Sequence, residues 1–118
     1  MSRYESLLEE ARKKDKIAVC KLKYSNRKKK LKYRGEELQA KFEDIEFPDV
    51  CPILGIPLDY DMIEQSDYSP CFDRYDTSKG WVKGNIIIIS LRASLIKRYG
   101  NSEELKKVAK FLKRYSNN

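Results

Sequence analysis

The sequence predicts an α+β fold in which a long basic helix precedes a β-hairpin and two shorter helices. Three observations predict this class: apolar residues at helical spacing near the N-terminus, two short extended segments joined by a glycine-containing loop, and a C-terminal segment with one apolar face. With 118 residues, the chain is long enough for one domain with a modest core. We expect a basic helical arm over residues 1–46 and a hairpin module with a C-terminal helix over residues 47–118, together one compact domain.

The N-terminal segment has the pattern of an amphipathic helix running from about Ser2 to Leu22 or beyond. Ser2 and Glu5 form a capping-box pattern. Apolar residues follow at helical spacing: Tyr4, Leu7, Leu8 and Ala11. A second, shorter helix is expected within residues 35–45. Beyond it, Pro48 and Pro52 disfavour helix at the residues before them, so we expect an irregular strand or turn over residues 53–58 and a surface loop over residues 59–70.

The C-terminal half carries the clearest secondary-structure signals. Residues 71–75 and 85–89 are the two extended segments of the predicted hairpin, and two glycines lie in the loop between them. A helix is expected over residues 90–98, ending near Gly100. Ser102 is then expected to cap a closing helix that packs through apolar residues at i, i+3, i+4 and i+7: Leu105, Val108, Ala109 and Leu112.

The charges are unevenly distributed along the chain. Residues 1–34 contain thirteen basic and four acidic residues, a net charge of +9. Residues 35–85 contain four basic and twelve acidic residues, a net charge of −8, and residues 86–118 contain eight basic and two acidic residues, a net charge of +6. Two basic ends therefore flank an acidic middle. Basic segments supply the phosphate-directed part of nucleic-acid affinity. We expect the following residues to contact nucleic acid, most simply double-stranded DNA: Arg27, Lys28, Lys29, Lys30, Lys32, Lys83 and Arg92.

Three scattered cysteines, Cys20, Cys51 and Cys71, are typical of buried thiols in a reducing cytosol rather than of a disulfide framework. The longest apolar run, residues 86–89, has the length of a strand and not of a membrane span. We therefore expect a cytoplasmic protein without a membrane partner.

Three motifs in a fixed order resemble a phage-associated branch of the HNH (ββα-metal) nucleases. Residues 51–58 read CPILGIPL, similar to a Cys-Pro-x-Leu-Gly-Ile-Pro-Leu signature. Residues 69–76 read SPCFDRYD, similar to Ser-Pro-x-x-Asp-Arg-x-Asp, and residues 79–85 read KGWVKGN, similar to Lys-Gly-aromatic-Val-x-Gly-Asn. The resemblance covers about residues 20–115 and implies a ββα-metal core, with the basic arm before it and the C-terminal helix after it.

The resemblance implies a divalent-metal endonuclease or nickase, in which Mg²⁺ or Mn²⁺ stabilises charge on the scissile phosphate. By position, Asp73 is the metal-binding acid and Asn85 is the loop asparagine. Arg74 occupies the position of the usual base histidine, and Ser94 that of the helix ligand. Arg74 stays protonated and is suited to clamping a phosphate rather than to accepting a proton. Asp76 supplies a second carboxylate if the chain bends after Tyr75.

Two departures from the family pattern open an alternative. The chain contains no histidine, and Ser94 replaces a stronger oxygen ligand. The alternative is a catalytically inactive HNH-fold protein that binds nucleic acid or inhibits a host protein. A third hypothesis is that the acidic middle imitates nucleic acid and docks to a basic groove of a host protein.

The zinc knuckle of many HNH modules also has counterparts here. Its four cysteine positions correspond to Cys51, Leu54, Ser90 and Ala93. Because one thiol of four remains, we expect no structural zinc. An apolar cluster of Leu54, Ile56, Ile88 and Leu91 is expected to replace it.

Overall fold

The computed structural model describes residues 3–61 and 64–115, apart from the side chains of residues 4, 5 and 7–14. It is a small α+β fold, as predicted. The elements are α1 (Arg3–Tyr33), a 3₁₀ turn (Phe42–Asp44), β1 (Pro70–Arg74), β2 (Ile86–Ser90), α2 (Leu91–Arg98) and α3 (Ser102–Tyr115). The capping box expected at Ser2 lies outside the described residues. None of these helices combines the length and apolar character that crossing a bilayer demands.

Helix α1 has 31 residues and is therefore roughly 46 Å long. Its C-terminal half joins the core through Cys20 and Leu31, which are buried. The helix ends because Gly35 adopts φ +79°, a conformation that glycine reaches without a Cβ clash. The Gly35 N–H then donates to the Lys32 carbonyl at 3.0 Å and the Glu36 N–H to the Leu31 carbonyl at 2.8 Å, the pattern of a Schellman motif.

The second helix expected within residues 35–45 does not form, and that prediction is wrong. Leu38 forms an isolated bridge with Trp81 and the chain bends at Ala40, and both side chains are buried. The N–H groups of Gln39 and Ala40 donate to the Trp81 carbonyl at 2.9 and 3.1 Å. Only residues 42–44 complete a turn, in 3₁₀ geometry. Residues 38–40 therefore hold the hairpin loop against α1.

The hairpin has the predicted order, with each strand shifted by one residue. Strand β1 pairs antiparallel with β2, from Pro70 opposite Ser90 to Arg74 opposite Ile86. Ser90 ends β2 and also caps α2, because its hydroxyl accepts the Ala93 N–H at 3.1 Å. Strand and helix therefore join without a loop, and α2 packs back onto the hairpin.

The core draws on both halves of the chain. Residues from α1, the irregular segment over residues 38–60, the hairpin and α2 form one cluster: Cys20, Leu31, Leu38, Ala40, Ile45, Cys51, Leu58, Tyr60, Phe72, Trp81, Ile88, Ile89 and Ala93. The helical arm is therefore part of the domain core. The expected apolar cluster at the knuckle positions forms only in part, because Leu54 is 41% exposed while Ile88 is buried.

Helix α3 departs from the expectation that it packs against the domain. No residue of α3 is buried, and Val108 and Phe111 are 56% and 61% exposed. Its cap is Asn101 rather than Ser102: the Asn101 side chain accepts the Glu104 N–H at 2.9 Å, and Glu104 accepts the Asn101 N–H at 3.1 Å. The radius of gyration is 17.0 Å, compared with about 13 Å for a compact domain of 100 residues.

Candidate nucleic-acid interface

A cleft lies between α1, the first strand and α2. It consists of a cavity of about 670 Å³ and an adjoining cavity of about 180 Å³ that share several lining residues, among them Arg27 and Phe72. Seven basic side chains and one acidic side chain line the two cavities together. The basic residues are Lys23, Arg27, Lys30, Arg34, Arg74, Lys97 and Arg98, and the acid is Asp73. We call this region the cationic cleft.

One face of α1 and the residue that follows it provide four of the seven basic groups. Lys23, Arg27, Lys30 and Arg34 are separated by four, three and four residues, which is the spacing of a single helical face. Arg27 is half-buried, with its guanidinium carbon 5.7 Å from the Phe72 ring centroid. Burial lowers the pKa of Arg27 below its ordinary value, but a guanidinium remains charged at neutral pH. The cleft therefore holds a fixed positive charge on its α1 side.

Asp73 lies near the end of the first strand and is paired. Its Oδ1 accepts the Arg74 N–H at 2.8 Å and the Lys97 ammonium at 3.0 Å. The same ammonium lies 3.4 Å from the Arg74 carbonyl oxygen. Ser94, one turn before Lys97 on α2, lines the same cavity. The structure thus brings together three predicted site residues, Asp73, Arg74 and Ser94, and adds Lys97 to them.

Arg74 is held over Trp81. Its guanidinium carbon is 4.9 Å from the indole centroid, and Nη1 donates to the Lys79 carbonyl at 2.8 Å. Trp81 is 8% exposed and lines the larger cavity. Within the described part of the chain, its Nε1 is the one buried side-chain polar atom without a hydrogen-bond partner. The Arg74 side chain is therefore preorganised at the cleft rather than free in solvent.

Asn85 and Asp76 fix the hairpin loop and do not line the cleft. The Asn85 amide donates to the Asp76 and Gly80 carbonyls at 3.0 and 2.9 Å, and its Oδ1 accepts the Asp76 N–H at 3.0 Å. The chain does bend at Tyr75, but the Asp76 carboxylate accepts the N–H and hydroxyl of Ser78 at 2.9 and 2.6 Å. These hydrogen bonds lower the pKa of Asp76 below its ordinary value. Both side chains are occupied with holding the loop.

The residues expected to contact nucleic acid divide into two groups. Arg27 and Lys30 line the cationic cleft. The remainder lie on the exposed surface outside it: Lys28, Lys29, Lys32, Lys83 and Arg92. Lys83 is 3.8 Å from Asp44, and the Arg92 backbone N–H donates to the Asp67 carbonyl at 3.1 Å. Of the five basic residues between positions 27 and 32, only Arg27 and Lys30 therefore line the cleft.

The residues around Asp73 do not fit a divalent metal by themselves. Mg²⁺ requires several oxygen ligands in octahedral geometry, and a carboxylate that is already bonded to a cation does not serve as one of them. The cleft offers one carboxylate, and an ammonium is bonded to it. In the part of the chain that the structure describes, no three acidic, cysteine or histidine side chains form a cluster that could hold a metal ion.

The positions that correspond to the zinc knuckle are together in space and joined by hydrogen bonds. The buried Cys51 sulfur accepts the Ser90 N–H at 3.3 Å. Burial acts to raise the pKa of Cys51, but hydrogen bonds from the Leu54 backbone, Ser90 and the Ile53 backbone outweigh it, and the net shift is downward. We call Cys51, Ile53, Leu54 and Ser90 the Cys51 junction. It ties the turn at residues 51–55 to the start of α2.

Comparison with protein-family models, with curated proteins and with solved structures gave no match. The site therefore rests on its geometry. Sequence reasoning missed Lys23, Arg34, Lys97 and Arg98. The i, i+4, i+7, i+11 spacing of the four α1 positions was the available signal for Lys23 and Arg34, whereas the convergence of α2 on the same cleft depends on tertiary packing.

Proposed function

We propose that this chain binds the phosphate backbone of nucleic acid in the cationic cleft. The observation that carries the proposal is the concentration of seven basic side chains and a single acid around the two adjoining cavities of the cationic cleft. Arginine forks match phosphate geometry bidentately, and four of the seven groups are arginines. A polyanion is the ligand class that satisfies such a cluster.

Double-stranded DNA is the first substrate to test. The basic residues of α1 are spread along the helix axis, so they present charges along a line, as a nucleic-acid backbone requires. The exposed residues Lys28, Lys29 and Lys32 lie on the same helix and add to the long-range field.

The experiment measures the binding of a short fluorescein-labelled duplex by anisotropy at low salt. Two charge-matched double variants are compared: Arg27→Met with Arg34→Met removes cleft residues, and Lys28→Met with Lys29→Met removes surface residues. We expect the first pair to weaken binding at least tenfold, about 1.4 kcal/mol, and the second to change it by a few-fold. Equal losses from both pairs reject the cleft as the binding site, and no binding by the wild type rejects the function.

A second candidate is an HNH-like endonuclease or nickase. Two observations favour it: Asp73 shares a cavity with Ser94, and the Cys51 junction joins the positions that correspond to a zinc knuckle. The hydrogen bonds of Asn85 to Asp76 and Gly80 agree with the loop-fixing role that the resemblance implies. For this function the ion pair between Lys97 and Asp73 has to break, so that the Asp73 carboxylate can bind a metal ion.

Cleavage is tested by incubating supercoiled plasmid with the protein in Mg²⁺ or Mn²⁺. We expect an active enzyme to convert the plasmid to its nicked form, and an Asp73→Ala variant prepared identically to leave it supercoiled. Equal background from both proteins rejects the endonuclease and leaves the binding function untouched.

A further inference from the structure

The ammonium of Lys97 bridges two oxygen atoms of the first strand. Nζ is 3.0 Å from Asp73 Oδ1 and 3.4 Å from the Arg74 carbonyl oxygen. Carboxylate and backbone carbonyl oxygens are also the protein ligands of hard divalent cations. The Lys97 side chain is 41% exposed, so the third N–H of its ammonium faces the cleft or solvent.

The charges around Lys97 and Asp73 disfavour a metal ion at this position and favour an anion. The larger cavity alone has five basic side chains and one acid, a net of +4: Arg27, Arg34, Arg74, Lys97 and Arg98 against Asp73. A divalent cation entering beside Asp73 meets repulsion from all five groups, whereas a phosphate meets attraction. Asp73 thus orients Lys97 and lowers the charge of the cleft without reversing it.

We infer that Lys97 supplies, beside Asp73, the positive charge that a divalent metal would supply in an HNH nuclease, so that this chain binds nucleic-acid phosphate without a metal. The inference rests on the proposed nucleic-acid binding and names how the same site recognises its ligand. Asp73 is a positioning residue in this arrangement. Lys97 is the group that contacts the phosphate.

The test compares duplex binding in excess EDTA and in Mn²⁺ at matched ionic strength. We expect the wild type to bind equally well in both. Lys97→Met is expected to lose about tenfold in affinity in EDTA, because a charge-assisted hydrogen bond is lost. Lys106→Met, which removes an exposed lysine of α3, is the control and is expected to change affinity little.

Two further variants separate a specific role from a loss of charge. Lys97→Arg keeps a cation and is expected to retain most of the affinity. In Lys97→Met, Mn²⁺ is expected to restore part of the binding, because the Asp73 carboxylate has then lost the ammonium that competes with a metal ion. The double variant Lys97→Met with Asp73→Asn is expected not to respond to Mn²⁺.

The outcomes distinguish this inference from the function on which it rests. If Mn²⁺ raises wild-type affinity tenfold or more, or if Lys97→Met matches Lys106→Met, the inference is wrong and nucleic-acid binding stands. If the wild type binds no duplex in either buffer, both are wrong. The wild-type comparison needs no variant, so it remains decisive if Lys97→Met does not fold.

Discussion

The Cys51 junction and the cationic cleft both involve α2, the first at its N-cap and the second along its length, but their chemistry differs. At the junction, a buried sulfur accepts backbone N–H groups, and no charge is required. In the cleft, a carboxylate pairs with an ammonium among further cations. The first arrangement is closed and stabilises the fold, whereas the second is open and carries unneutralised charge. The contrast predicts effects on stability at one region and on binding at the other.

The largest effect is expected from Asn85→Ala, which tests how the loop behind the cleft is held. The variant removes three hydrogen bonds from a side chain that is 7% exposed. We expect the free energy of unfolding to fall by about 3 kcal/mol, measured by urea denaturation. Lys83→Ala, an exposed change in the same loop, is the control. A loss below about 1 kcal/mol in Asn85→Ala contradicts the loop-clamp role.

Cys51→Ala is expected to have the next largest effect, because it removes the acceptor at the junction. Buried N–H groups without an acceptor and the lost sulfur volume together cost about 2 kcal/mol of unfolding free energy. Cys71→Ala, at a half-buried thiol outside the junction, is expected to cost less. Nucleic-acid affinity of the folded Cys51→Ala protein is expected to stay unchanged. If Cys51→Ala lowers nucleic-acid affinity but not the free energy of unfolding, the Cys51 junction contributes to binding and not to stability, which contradicts the separation of the two regions.

Arg27→Met and Lys28→Met compare a cleft residue with an exposed surface residue of the same helix. The two residues are neighbours in sequence, but only Arg27 lines the cleft and lies near the Phe72 ring. We expect Arg27→Met to weaken duplex binding about tenfold and Lys28→Met to weaken it a few-fold, as measured by anisotropy in EDTA. Identical effects would mean that the charge of α1 acts as a diffuse field and not through the cleft.

The smallest effect is expected from Asp76→Asn and appears only in acid. The folded pKa of Asp76 lies below the value of 3.8 for an unstructured aspartate. A depressed pKa stabilises the folded state above pH 3.8, and this contribution is lost as the pH falls through the folded pKa. We therefore expect the wild type to lose more melting temperature between pH 6 and pH 3 than Asp76→Asn does. Equal losses contradict a role for the Ser78 hydrogen bonds.

Local chemistry made the hairpin, α2 and the long first helix predictable from the sequence. The end of β2 was wrong by one residue because Ser90 serves both as the last strand residue and as a helix cap, a double role that no propensity distinguishes. The helix expected after Gly35 failed because Leu38 and Ala40 are buried at a spacing of two, against the hairpin loop. Propensity cannot anticipate that tertiary contact.

The candidate site was predictable only where it lies on one continuous segment. Asp73 and Arg74 follow from a motif, and Arg27 from the basic run. Lys97 and Arg98 could not be assigned, because their role depends on α2 packing back against the first strand. Likewise, the sequence did not separate Lys30, which lines the cleft, from Lys29, which does not.

The salt dependence of duplex binding in EDTA tests the central claim most directly. Each phosphate contact contributes about −0.9 to the slope of log K against log salt concentration. We expect a wild-type slope of about −4 or steeper, and the Arg27→Met, Arg34→Met double variant to make it shallower by about 2. The Lys28→Met, Lys29→Met pair is expected to change it less. A wild-type slope near zero, or equal changes in both double variants, would contradict phosphate recognition in the cationic cleft.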